Sequence, residues 1–130
     1  MVAPLDEGHV VPGAAHHDDV PHESEVSVLV QALQSLGCRV LALPALEAMP
    51  DAVFVEDVAL VLDEVAVMTR PGAESRRGEG ASIANALADY RSLRHIEAPG
   101  TLDGGDVLRI GRAIFVGQSA RSNAAGIAQL

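Results

Sequence analysis

The stretch Asp51-Ala52-Val53-Phe54-Val55-Glu56-Asp57 decides the fold, because its layout returns later in the chain. An apolar run, a tight turn, a second apolar run and a loop with Arg76 follow Asp57, and an apolar-periodic segment comes next. The same order follows Asp106, with Arg121 in the loop. Each copy therefore predicts a hairpin of two strands, a loop and a helix. The apolar runs are 58–62 and 65–68 in the first copy and 107–110 and 113–116 in the second.

Hydrophobic periodicity predicts the remaining elements. Apolar residues recur every three or four positions from Glu23 and predict a helix that Gly37 ends. The whole pattern predicts an α/β fold with mixed strand directions, and copies spaced by about 45–50 residues indicate a propeller-like repeat. We expect residues 1–21 to form an irregular leader that need not be ordered, and residues 22–130 to form one domain. The other predicted strands are 39–43, 53–55 and 95–98, and the other predicted helices are 81–87 and the segment that ends at Leu130.

Composition narrows the class of protein. A chain of 130 residues with 48% hydrophobic residues is long enough for one domain with a core. The net charge of −9 and the absence of Lys argue against nucleic acid and anionic membranes as partners, because both require cationic patches. Cys38 is the single cysteine, which excludes an internal disulfide. No secretory signal or membrane-length apolar run is recognisable, so we expect a cytoplasmic protein.

Carboxylates and arginines occupy matching places in the two copies. Asp57 precedes the first hairpin and Asp103-Gly104-Gly105-Asp106 precedes the second, while Arg76 and Arg121 lie in equivalent loops. Buried acids are costly unless they meet a cation, and a planar guanidinium suits two carboxylates on neighbouring strands. The two arginines can converge on one ligand carboxylate. The pattern therefore predicts a site for arginine or a derivative, and the alternative is that these side chains lie on solvated loops.

Other candidate residues favour structural roles. The run His16-His17-Asp18-Asp19 contains metal-ligand types but lies in the leader, so we expect no metal there. Cys38 has no activating base close in sequence and His95 borders a strand, so we expect both to serve packing or structure. The sequence contains no nucleophile elbow, no phosphate loop and no zinc spacing. We therefore expect no cofactor.

Four long stretches resemble the dimethylargininases, which are dimethylarginine dimethylaminohydrolases of the arginine-modifying (pentein) superfamily. The resemblance extends from about residue 25 to residue 130, and the stretches agree with the family in order and spacing. It implies half of a five-bladed α/β propeller with the active site along its central axis. The matching stretches are 50–57, 69–79, 96–106 and 116–126. The residues implied to bind substrate are Asp57 and Asp103 for the guanidinium, Asp51 for the α-amino group, Arg76 and Arg121 for the α-carboxylate, and Glu56 in support of the acids.

The resemblance also implies the chemistry. In the family a cysteine thiolate attacks the guanidinium carbon and expels dimethylamine, a histidine acts as general acid and base, and water then releases citrulline. Both residues lie in the C-terminal half of the family. Neither Cys38 nor any of the five histidines falls in a matching motif. We therefore expect no catalytic residue among these 130 residues and no turnover by this chain alone.

Three functional hypotheses follow from the resemblance. The leading one is a dimethylargininase-like hydrolase that cleaves the guanidino C–N bond of methylated arginines, with a truncated or split chain. The second is a non-catalytic remnant, or the recognition half of a split enzyme, that binds arginine analogues. The third is a relative of arginine deiminases or amidinotransferases. An incomplete propeller leaves strand edges and apolar surface uncovered, so we expect a homodimer or a C-terminal half-chain partner.

Overall fold

The computed structural model describes residues 2–4 and 25–130, and the chain divides into two compact units, Met1–Ala42 and Leu43–Leu130. In the first unit, α1 precedes β2, and β2 pairs antiparallel with β1. Gly37 adopts a left-handed φ of 80° after the helix, which confirms the predicted helix stop. The leader and its histidine run at 16–19 lie outside the described residues, apart from residues 2–4, so that division stays a prediction. The bounds are β1 Val2–Pro4, α1 Glu25–Ser35 and β2 Cys38–Val40.

The second unit begins with the first copy of the repeat. Strands β3 and β4 form the predicted antiparallel hairpin, with Leu60 opposite Val67, and α3 carries the chain back to β5, which pairs parallel with β4. The predicted loop with Arg76 contains a 3-10 turn at Glu74–Arg76, and α3 begins at Gly80. The bounds are β3 Ala59–Val61, β4 Val65–Met68, α3 Gly80–Ala88 and β5 Ser92–His95.

The second copy repeats the hairpin and the helix. Strands β6 (Val107–Ile110) and β7 (Ala113–Val116) are antiparallel, with Leu108 opposite Phe115, which confirms the second predicted hairpin. The turn between them uses Gly111 at a positive φ of 60°. Helix α4 (Ala124–Gln129) begins after Asn123, whose side chain accepts a hydrogen bond from the Gly126 amide. The fold of the second unit is therefore mixed α/β, as predicted.

The core of the second unit lies on both faces of β4. Successive side chains of a strand point to opposite faces, so Ala66 and Met68 face α3 while Val67 faces the other way. Leu87 of α3 and Leu102 are almost completely buried on these two sides. The clusters are Val58, Ala66, Met68, Ile83 and Leu87 on one face, and Val67, Ile96 and Leu102 on the other.

Three predicted strands were wrong in position or burial. The strand predicted at 53–55 is a 3-10 turn, Pro50–Val53, followed by the short helix α2, Val55–Val58. Pro50 presets a helical φ, and the amides of Phe54 and Asp57 bond three residues back instead of to a neighbouring strand. The strand predicted at 95–98 is β5, which lies three residues earlier. Its position is set by hydrogen bonds to β4, and the mixed polar and apolar residues of β5 do not indicate that pairing. The strand predicted as buried at 39–43 is β2, whose Arg39 is exposed.

Candidate functional site

The turn at Pro50–Val53 and helix α2 place the first acidic group. Asp57 lies in α2 and is buried, while Asp51 and Glu56 are exposed. The Thr69 hydroxyl, at the end of β4, donates to the Asp57 carbonyl at 2.7 Å, and the Thr69 amide donates to Val58 at 3.0 Å. The end of the first hairpin therefore fixes the backbone of α2, and the Asp57 carboxylate points inward from it.

Arg76 carries the first buried cation and is held from three sides. Its Nη1 donates to Asp57 Oδ2 at 2.7 Å, and its Nε and Nη2 donate to the Glu79 carboxylate at 2.7–3.0 Å. Nη2 also donates to the Asp51 carbonyl at 3.0 Å. These carboxylate bonds raise the pKa of Arg76 above its ordinary value. Because Glu79 is only 2% exposed, this is an interior ion cluster and not a surface pair.

Asp103 brings a second buried carboxylate beside Asp57. A Cβ built on Gly105 would lie 2.8 Å from Asp57 Oδ1 and 3.1 Å from Asp103 Oδ1, so both oxygens converge on this glycine. A Cβ on Gly104 would overlap the carbonyl oxygen of Glu56, so the backbone at Gly104 is packed directly against α2. Burial and the negative charge of Asp57 raise the pKa of Asp103. The Gly105 amide donates to Asp103 Oδ1 at 3.1 Å, and Arg121 lies 3.9 Å from Asp103 Oδ2.

Asp106 is held by hydroxyl groups. Its Oδ2 accepts hydrogen bonds from Ser119 Oγ at 2.6 Å and from Ser122 Oγ at 2.7 Å. These two bonds lower the pKa of Asp106. Ser122 is completely buried, and its Oγ also accepts the Asp103 amide at 3.0 Å. The second hairpin therefore keeps its carboxylate ionised without a buried arginine.

Arg121 is the second cation, and it is loosely held. Its guanidinium lies 3.9 Å from Asp103 Oδ2 and 3.6 Å from Asp106 Oδ1, and its side chain is 53% exposed. Both distances exceed hydrogen-bond length. Its backbone lies against Gly72, where a Cβ would meet the Arg121 Cα at 2.7 Å. The guanidinium of Arg121 is therefore available to a ligand at the rim of the acidic pair.

The structure brings together four of the six predicted site residues: Asp57, Arg76, Asp103 and Arg121. Asp51 contributes its backbone carbonyl to Arg76, and its carboxylate is exposed, as is that of Glu56. Each arginine faces carboxylates of the chain itself. The expectation that Arg76 and Arg121 hold one ligand carboxylate stays a prediction, as do the other assigned roles.

Sequence reasoning missed three residues of this cluster. Glu79 follows Arg76 by three positions, and that spacing indicates an ion pair. Glu79 was not recognised because it directly precedes the apolar residues that predicted the helix α3. Ser119 and Ser122 flank Arg121 and carry no charge pattern that marks them. Asp106 was recognised as a repeat position but not as a member of the site.

Residues outside the cluster have simpler surroundings. Cys38 is half-buried in β2 of the first unit, and His95 is exposed at the end of β5. Among residues 2–4 and 25–130, no group of three or more His, Cys, Asp or Glu side chains is arranged to hold a metal ion. Within the same described residues, no helix has the length and apolarity needed to cross a membrane.

Comparison with known proteins identifies relatives of this arrangement, although no protein-family model matches the chain. The N(G),N(G)-dimethylarginine dimethylaminohydrolase of Streptomyces coelicolor is 50% identical over 102 residues, which are 78% of this chain and 40% of that protein. The solved structure of the Pseudomonas aeruginosa enzyme of that name, a mutant complexed with citrulline, superposes with a TM-score of 0.77 at 42% identity, over 80% of this chain and 42% of that one.

A more distant likeness concerns the fold alone. An amidinotransferase from Microseira wollei superposes with a TM-score of 0.59 at 19% identity, over 81% of this chain and 43% of that chain. The relatives named dimethylarginine dimethylaminohydrolase are 42–50% identical to this chain, which spans about two fifths of their length. The chain is therefore homologous to about two fifths of the length of the dimethylarginine dimethylaminohydrolases.

Proposed function

We propose that this chain is the substrate-recognition part of a dimethylargininase-like hydrolase. Such an enzyme cleaves the guanidino C–N bond of a methylated arginine, so that water supplies the new carbonyl oxygen and citrulline and an amine leave. The observation that carries the proposal is the convergence of two buried carboxylates, Asp57 and Asp103, on Gly105. Sequence similarity to dimethylarginine dimethylaminohydrolases supports the same substrate class.

The acidic pair suits a guanidinium because of how its oxygens are used. Arg76 bonds Oδ2 of Asp57, and the Gly105 amide donates to Oδ1 of Asp103. An incoming cation would be received where Oδ1 of Asp57 and Oδ1 of Asp103 converge on Gly105. A guanidinium between them would form charge-assisted hydrogen bonds to both. It would also offset the repulsion by Asp57 that, after burial, raises the pKa of Asp103. Two fixed carboxylates would orient the planar group and present its carbon to a nucleophile.

The opposite end of the ligand requires a cation. Arg121 is half-exposed beside the acidic pair, and its planar fork binds carboxylates in two-point fashion. Arg76 is already bonded to Asp57 and Glu79. We therefore assign the α-carboxylate chiefly to Arg121, with Arg76 in a supporting role. By resemblance to the family, we assign the α-amino group to Asp51. Glu56 would add negative potential at the entrance.

The nucleophile, the general acid and base, and the remaining repeats of the propeller would come from polypeptide beyond these 130 residues. The hairpin β6–β7 supports this division. Leu108, Ile110, Ala113 and Phe115 share one face of the hairpin, and all four are exposed. The corresponding face of the first hairpin, which carries Leu60 and Val67, packs against Ile96 and Leu102. We propose that a polypeptide equivalent to the uncovered part of the relatives covers this face, and that the complete protein acts in the cytoplasm.

Binding tests the recognition role directly. Isothermal titration calorimetry of the purified chain with N(G),N(G)-dimethyl-L-arginine should show binding that Asp103→Asn weakens at least about tenfold, since a charged hydrogen bond is lost. Asp89→Asn removes an exposed acid at the end of α3 and serves as the matched control. Equal affinity of the Asp103→Asn variant and the parent would refute the guanidinium assignment.

Activity tests the division of the enzyme. Citrulline release would be measured for the chain alone and for the chain mixed with the uncovered C-terminal portion of the Streptomyces coelicolor relative. Activity in the mixture alone supports the recognition half of a split hydrolase. Silence in both, with dimethylarginine binding retained, would favour the non-catalytic binding remnant. Transfer or deimination products from arginine in the mixture would instead favour the amidinotransferase or deiminase hypothesis.

A further inference from the structure

We propose that Asp106, through the hydroxyls of Ser119 and Ser122, positions Asp103 and Arg121 for ligand binding. The inference rests on the proposed function, because Asp103 and Arg121 are the ligand-facing pair there. Asp106 itself does not have to touch the ligand, so it is a positioning residue. Its influence passes through two hydroxyl groups that each donate once and accept from backbone amides.

The Ser122 hydroxyl connects Asp106 with Asp103. It donates to Asp106 Oδ2 at 2.7 Å and accepts the Asp103 amide at 3.0 Å. A hydroxyl has one proton, so a fixed donor direction leaves its lone pairs to the amide. The Asp106 amide in turn donates to the Asp103 carbonyl at 3.1 Å. Asp103 is thus held at both its amide and its carbonyl by groups that depend on Asp106.

The Ser119 hydroxyl connects Asp106 with Arg121. It donates to Asp106 Oδ2 at 2.6 Å and accepts the amides of Arg121 at 2.9 Å and of Ser122 at 3.2 Å. The other oxygen, Oδ1, lies 3.6 Å from the Arg121 guanidinium. One carboxylate therefore sets both the backbone and the charge environment of the half-exposed arginine. Short O–H···O⁻ bonds of this kind are among the stronger hydrogen bonds of proteins.

An ionised Asp106 strengthens this arrangement, because hydroxyl groups bond a carboxylate more strongly than a neutral carboxyl. The two serine hydroxyls and Arg121 lower the pKa of Asp106, so the carboxylate stays charged while neighbouring Asp103 has a raised pKa. Arg121 and Asp103 are the charged groups that face it from the adjoining segments. A loop closed merely for stability would need hydrogen bonds but no particular charge state.

The test uses Ser119, because it is exposed and its hydroxyl accepts the Arg121 amide. Ser119→Ala removes the link to Arg121, Ser119→Thr restores the hydroxyl, and Ser92→Ala, an exposed serine of β5, is the matched control. Calorimetry with dimethyl-L-arginine should show about tenfold weaker binding for Ser119→Ala and parental binding for the other two variants. Equal binding by the Ala and Thr variants of Ser119 would overturn the positioning role.

A second readout needs no ligand. Nitrogen-15 relaxation of the Arg121 Nε should show greater mobility in Ser119→Ala than in the parent, and carbon-13 titration should show a higher pKa for Asp106. Unchanged mobility of Arg121 would also overturn the proposal. A parent chain that does not bind dimethyl-L-arginine refutes the proposed function instead, and the relaxation and titration results then decide whether Asp106 and Ser119 hold Arg121.

Discussion

The two copies of the repeat stabilise their buried carboxylates in different ways. In the first, a buried arginine, Arg76, neutralises Asp57 and Glu79 through hydrogen bonds of 2.7–3.0 Å. In the second, serine hydroxyls hold Asp106, and Arg121 stays 53% exposed at longer distances. The difference shows that one layout of acids and arginine serves two purposes. The first copy uses its arginine to hold the interior together, whereas the second leaves its arginine half-exposed, as the proposed ligand site requires.

The largest effect should come from removing the buried arginine. Arg76→Met leaves Asp57 and Glu79 buried without a cation, and breaking a buried pair by removing one partner costs about 3–5 kcal/mol. Arg121→Met removes a half-exposed arginine, and such pairs contribute about 0–1 kcal/mol. Urea unfolding of the two variants measures this contrast. Equal losses of unfolding free energy would contradict the inference that Arg76 stabilises the fold much more than Arg121 does.

The hairpins give the next contrast. Met68→Ala empties a buried position between β4 and α3, and such substitutions cost about 2–5 kcal/mol. Phe115→Ala removes a ring that is 56% exposed on β7, and surface substitutions stay within about 0.5 kcal/mol. Thermal or urea unfolding checks both. A large loss from Phe115→Ala, dependent on protein concentration, would show that a second copy of this chain already covers that face.

Much of this architecture follows from the sequence, and the exceptions have physical causes. The hairpins at 59–68 and 107–116 were predicted because apolar runs around a turn specify antiparallel pairing locally. The prediction of a strand at 53–55 was wrong. It relied on the β-branched residues of this stretch and gave too little weight to Pro50 and the acids after it, which favour a helical turn. β5 was misplaced because its hydrogen bonds come from β4, which is distant in sequence.

The candidate site was also predictable only in part. Charged residues at repeat positions are visible in the sequence, so Asp57, Arg76, Asp103 and Arg121 were found. Their partners were not, because a serine hydroxyl becomes a ligand of Asp106 only when the loop at 117–123 folds back on it. The sequence also gave no sign that Arg76 is buried. Burial depends on α3 and α2 closing over it, which is a tertiary event.

The smallest contrast concerns pH and the two acids of the second copy. The pKa of Asp103 is raised in the folded chain, so the folded state binds more protons than the unfolded state between the ordinary and the raised value. Stability contributed by Asp103 is therefore lost as pH rises through that window. Asp103→Asn removes this loss, and we expect the ligand-free variant to be more stable than the parent at neutral pH although it binds ligand less well.

Asp106→Asn should behave in the opposite sense. The pKa of Asp106 is lowered, so its contribution is present above the ordinary Asp value and is lost as pH falls through the folded pKa. The variant should therefore be less stable than the parent at neutral pH, and the difference should close in acid. Urea unfolding of parent and both variants between pH about 3 and 7 brackets the ordinary Asp pKa. If both substitutions changed stability in the same direction at neutral pH, the two carboxylates would share one environment. A gain in unfolding free energy for Asp103→Asn and a loss for Asp106→Asn would mean that the two acids have opposite effects. The charge of Asp103 would destabilise the ligand-free fold until a cationic ligand binds, and Asp106 would hold Asp103 in place.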